Sequence, residues 1–115
     1  MNINVTLENE LKNTYGVLEG IYTFGGIVND MDYFGHIENR NYALWFGNYM
    51  VYGVWFWMLG EKLSLGTNIG YMIHQVADKK CPEGGEYPWL WNHFDGTDWI
   101  ATTDISINCL DANAS

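Results

Sequence analysis

Polar and apolar side chains alternate without interruption through Asn2, Ile3, Asn4, Val5, Thr6 and Leu7. A period of two puts the apolar set on one face of an extended segment, so this stretch predicts a half-buried strand. The polar residues Glu8-Asn9-Glu10 break the pattern, and residues 6–18 have the spacing for one or two helical turns. Helical spacing is poor elsewhere. Short strand-like runs follow at 20–24, 32–37, 42–46, 51–59, 70–76 and 105–110. Gly25-Gly26, Gly35, Gly47-Asn48 and Gly66 read as the turns between them. Residues 81–98 read as a loop, with Cys-Pro, Gly-Gly, Tyr-Pro and Asp95-Gly96-Thr97 in succession. Many short strands with closely spaced turns predict a mainly-β chain, a small antiparallel sandwich or barrel with one disulfide.

The twenty uncharged residues from Asn41 to Gly60 match the length of a membrane-spanning helix. Their composition argues against one. Trp45, Trp55, Trp57, Tyr42, Tyr49 and Tyr52 are spread throughout, whereas membrane helices gather Trp and Tyr at the two interfaces. Gly47-Asn48 in the middle predicts a hairpin turn joining two buried aromatic strands. Trp55 and Trp57 would share one face of the second strand, as core or as a surface between subunits.

At 115 residues the chain has the size of one domain, and its six Trp and eight Tyr favour pleated, half-buried surfaces. The formal charge is −9, and the cations are Lys12, Arg40, Lys62, Lys79 and Lys80. Nucleic-acid binding needs a basic stripe that displaces counterions from phosphates, and none exists here. The same acidity disfavours docking on anionic membranes.

Two cysteines, Cys81 and Cys109, are too few for a structural zinc site without histidine partners. Joined, they would close a loop of about 28 residues, worth roughly 3.5 kcal/mol in the chain-entropy description. The other readings are two buried thiols or a reactive cysteine. A disulfide implies an oxidising compartment, and the acceptor tripeptides Asn4-Val5-Thr6 and Asn113-Ala114-Ser115 point the same way, to N-linked sugar. No apolar leader segment is visible in the first twenty residues, which carry Glu8, Glu10, Lys12 and Glu19. The expectation is a secreted or cell-surface domain in mature form.

Gly20-Ile21-Tyr22, Gly26, Asn29, Tyr33, Tyr42, the run from Trp55 to Gly60, Cys81-Pro82-Glu83-Gly84-Gly85-Glu86 and Ile105-Ser106-Ile107-Asn108-Cys109 recur as a series. It resembles the short cysteine-paired β modules of uncharacterised extracellular and multidomain eukaryotic proteins. Asp30 departs from the Gly expected after Asn29, and Leu59 from the usual Ile. The resemblance spans about Tyr15 to Cys109. It implies a Cys81–Cys109 pair and a compact β module, with no activity attached. Residues 1–12 lie outside it and are expected as an N-terminal strand or arm, 13–111 as the domain and 112–115 as a tail. Such a strand can pair within its own sheet. Alternatively its apolar residues Ile3, Val5 and Leu7 can insert beside an edge strand of a neighbouring copy, which repeated head to tail builds a filament.

Catalytic groupings are sparse in the sequence. His36, His74 and His93 are far apart in sequence, and Cys81 followed by an acidic Gly-Gly loop lacks a helix N-terminus to activate its thiol. No nucleophile elbow or phosphate-cradling glycine loop is present, so no enzyme, metal or cofactor is expected. Two oxygen-rich turns, Asn29-Asp30-Met31-Asp32 and Asp95-Gly96-Thr97-Asp98, have the ligand type that Ca²⁺ prefers. Phe34 and Asn41 at ligand positions rule out an EF-hand at the first. Sugar binding uses aromatic faces beside amide and carboxylate groups. Tyr87, Trp89, Trp91 and Trp99, near Asn92 and Asp98, offer that chemistry; the other reading packs these rings over the disulfide. The favoured expectation is an extracellular structural or interaction module that self-assembles or binds other extracellular proteins, with a carbohydrate-binding domain as the alternative.

Overall fold

The computed structural model describes residues 2–49, 54–67, 69–74 and 91–110. Among these, nine strands form one antiparallel sheet: β1 (Asn2–Leu7), β2 (Gly20–Val28), β3 (Met31–His36), β4 (Tyr42–Tyr49), β5 (Val54–Glu61), β6 (Met72–His74), β7 (Trp91–Phe94), β8 (Trp99–Thr102) and β9 (Ile105–Leu110). One helix, α1 (Asn9–Tyr15), and a 3₁₀ turn (Gly16–Leu18) join β1 to β2, and a second 3₁₀ turn (Lys62–Ser64) follows β5. The hydrogen-bonded order is β8-β7-β6-β5-β4-β3-β2-β1-β9.

That order requires a closed shape. In a flat sheet, eight gaps of about 4.8 Å would hold β8 and β9 roughly 38 Å apart. Yet only Thr103 and Asp104 separate them in the chain, and three Cα–Cα steps of about 3.8 Å cannot bridge such a distance. The sheet therefore curls until its edges nearly meet, a nine-strand antiparallel, nearly closed barrel.

Alternation fills the inside. Ile3, Val5 and Leu7 from β1, Tyr22, Phe34, Leu44, Phe46, Trp57, Leu59, Met72, Trp91, Ile105 and Ile107 form one buried cluster. Leu11 of α1 and Leu18 join it, which is what holds so short a helix, since seven residues have little intrinsic helical stability. The helix lies where Leu7, Gly20, His36, Tyr42, Glu61 and Phe94 end or begin their strands, and so covers one end of the barrel. A second buried cluster, Ala43, Trp45, Phe56 and Met58, lies on the outer face of β4 and β5. The connection between β5 and β6 folds back over it: Trp45 Nε1 donates to the Thr67 carbonyl at 2.9 Å, and Leu65 packs against the cluster.

β1 and β9 occupy the ranges expected for them, and helical turns do appear within 6–18. The 41–60 stretch contributes two antiparallel strands, as expected, and no helix among the described residues is long and apolar enough to cross a membrane. Other elements differ. Gly47 and Asn48 are not the turn: Gly47 pairs with Phe56, Asn48 with Trp55 and Tyr49 with Val54, and residues 50–53 lie outside the described residues. Gly25-Gly26 is a bulge within β2, where a Cβ on Gly25 would stand 2.5 Å from the Tyr33 ring. These glycines admit a close approach instead of ending a strand. Within the segment read as a loop, Trp91–Phe94 forms β7, and β8 follows after it, the two paired through Phe94 and Trp99. Residues 75–90 lie outside the described residues.

The segment 1–12, expected as a strand or arm, contributes a strand with a neighbour on each edge. β1 pairs with β2 at four positions and with β9 at six, and Ile3, Val5 and Leu7 are buried in the chain's own core.

Candidate functional site

Among the described residues side chains fill the barrel interior, and the openings lie on its surface. At the end covered by α1, two grooves meet at Glu61. The larger, about 540 Å³, is lined by Arg40, Asn41, Tyr42, Glu61, Lys62 and Leu63. The smaller, about 180 Å³, is lined by Glu61, Ser64, Ile69, Gly70 and Tyr71.

Strand ends and tight turns position these groups. Tyr42 and Glu61 are cross-strand partners, and Lys62 N donates to the Asn41 carbonyl at 2.7 Å. The β3–β4 turn is held by His36. Its Nδ1 accepts from the amides of Glu38 and Asn39, each at 3.1 Å, which leaves Nε2 to donate to the Glu19 carbonyl at 2.9 Å. Asn39 Oδ1 accepts from Asn41 N and closes the turn. Half-buried Tyr15, Tyr42 and Tyr71 form a chain of tilted rings, with centroids 5.4 Å and 6.4 Å apart. Tyr15 donates to the Phe94 carbonyl. Tyr71 donates to Glu61 Oε1 at 2.5 Å, and this bond, with partial burial and the neighbouring carboxylate charge, pushes the phenol up to about 12.

The residues singled out from sequence do not gather here. Trp91 is fully buried in the core and stacked on His74, with centroids 5.1 Å apart and planes 11° from parallel. Its face is therefore closed to a sugar, which corrects its place among the candidate aromatics. Trp99 is half-buried on the outer side of β8, against Phe94 and the outer cluster. Tyr87 and Trp89 lie outside the described residues, as do Cys81 and Asn113. Cys109 is half-buried on β9 beside the interior cluster. Asn4 sits half-buried on the outer face of β1, with Thr6 on the same face.

Neither oxygen-rich turn gathers a metal-binding set; among the described residues no three His, Cys, Asp or Glu side chains are so placed. Asn29 and Asp30 both have positive φ, +54° and +62°. They form the two-residue hairpin turn between paired Val28 and Met31, and type I′ geometry of this sort favours Asn and Asp. Asn29 Nδ2 donates to the carbonyls of Phe46 and Gly66. Asp95 Oδ1 accepts from the amides of Thr97 and Asp98, and these bonds hold its carboxyl below the usual range. In each turn one side chain, Asn29 or Asp95, is engaged by the backbone.

The rim groove escaped sequence reasoning because its residues come from two strand ends and the segments beside them, 40–42 and 61–63, that no motif links. The cross-strand pairing of β4 with β5 brings them together. No protein-family model, curated protein or solved structure matches this chain.

Proposed function

We propose that the chain is an extracellular interaction module, joined by a Cys81–Cys109 disulfide and carrying N-linked sugar at Asn4 and Asn113, that engages its partner through its outer surface and rim. The observation that carries this reading is the interior: side chains from eight strands and α1 pack it as a continuous core, so the barrel serves as a scaffold. The Asn4 and Thr6 side chains share the outer face, where an attached sugar would not disturb that core.

Self-assembly through residues 1–7 belongs to the same proposal, with one constraint. Since β1 already fills its place between β2 and β9, donation to a neighbour means exchange, each copy giving up its own strand for another's. Chain secreted from a eukaryotic host tests the proposal. Blocked thiols that open with reductant, and mass lost on glycosidase treatment, support the extracellular assignment. Thiols that alkylate without reductant, on a chain bearing no sugar, overturn it. Light scattering across a hundredfold concentration range reads assembly; a constant monomer mass removes the exchange.

A further inference from the structure

The chain carries nine more negative than positive charges, yet two of its five cations, Arg40 and Lys62, line the same rim groove. Among the described residues neither forms an ion pair; the pair that does form is Lys12 with Glu19. Two exposed cations without an ion pair give this groove local positive charge in a strongly acidic molecule. The remaining lining narrows the class. Asn41 supplies an amide, Tyr42 a half-buried aromatic wall and Glu61 a carboxylate whose Oε1 is already fixed by Tyr71. A carboxylate beside the cations repels a ligand that is anionic all over, such as a phosphate cluster. It accepts well from hydroxyl groups. The guanidinium fork of Arg40 matches a carboxylate. Volume agrees: about 540 Å³ lies within the range of small-ligand sites. The backbone of the two walls is tied by the Lys62–Asn41 hydrogen bond and the Tyr42–Glu61 cross-strand pair, so the ordering that accompanies binding falls on the exposed Arg40 and Lys62 side chains.

We infer that the groove lined by Arg40, Asn41, Tyr42, Glu61 and Lys62 binds an acidic sugar, a ring bearing one carboxylate and neighbouring hydroxyls. The carboxylate sits between Arg40 and Lys62, the hydroxyls donate to Glu61, and the apolar face of the ring lies against Tyr42. This inference rests on reading the chain as a binding module and names its ligand class.

The test is calorimetric titration of the full chain with an oligogalacturonide, its methyl ester and a neutral glucose oligomer of the same length, each at 20 and 300 mM NaCl. Expected is binding of the acid form alone, weakened severalfold by the higher salt. R40Q combined with K62Q should reduce it at least tenfold with the thermal midpoint unchanged. Competition with millimolar acetate or inorganic phosphate should be weak. Binding of ester and neutral oligomer as tightly as the acid, unaffected by R40Q/K62Q, overturns the inference and leaves a sugar-binding module. Silence toward all three, in a chain that still self-assembles, overturns the inference while the interaction reading stands. Silence combined with a constant monomer mass and free thiols overturns both.

Discussion

Removing residues 1–7 should unfold this protein. Ile3, Val5 and Leu7 are each 1% exposed or less, and fully burying an aliphatic side chain stabilises a fold by about 1.5–3 kcal/mol. Three of them give about 5–9 kcal/mol, an upper range because an unfolded chain already buries part of its surface. A domain of this kind has about 5–15 kcal/mol in total. The truncation also strips one edge each of β2 and β9, which pair with β1 at four and six positions. Near-ultraviolet circular dichroism and urea unfolding followed by Trp fluorescence read the outcome, with L7A expected to cost about 2–5 kcal/mol as the milder perturbation. A peptide of residues 1–8 added in trans should restore the near-ultraviolet signal, since the vacated slot between β2 and β9 presents unpaired strands on both sides. A truncated chain that unfolds cooperatively within about 1 kcal/mol of the full chain would refute the assignment of β1 to the core.

G20A should lower stability by about 1–3 kcal/mol, because Gly20 has φ +142° and a Cβ there would stand 2.8 Å from the His36 ring; a thermal midpoint unchanged from wild type would contradict it. Tyr71 should ionise near pH 12 rather than 10, read as phenolate absorbance in the difference between the native chain and Y71F, and E61A should bring it back toward 10. The sign follows from linkage: with the folded pKa raised, the bond's contribution is whole below pH 10 and is lost as pH rises toward 12. Asp95 works the other way. Its lowered carboxyl pKa means that the β7–β8 turn is supported above the ordinary carboxylate range and loosens as pH falls below it, visible as faster amide exchange at Thr97 and Asp98 in acid and absent in D95N.

Sequence by itself determined the strand content and much of its position. Alternation in Asn2–Leu7 and Ile105–Leu110 is local, set by each residue's choice between core and solvent, so the unbroken period of two marked both strands. The Trp-rich character of 41–60 was enough to predict strands in place of a membrane helix. Glycine signals misled, because a glycine that ends a strand and one that lets a ring approach look alike until the ring is placed. Gly25 under Tyr33 is the second kind. Trp91 looked like a ligand platform for a similar reason: an indole's chemistry is the same whether it faces solvent or stacks on His74 in the core. Only the tertiary structure put β9 against β1, closed the barrel across Thr103-Asp104, and set Arg40 beside Lys62. Those relations depend on pairing between segments distant in the chain, and no local pattern of side chains encodes which strand edge will meet which.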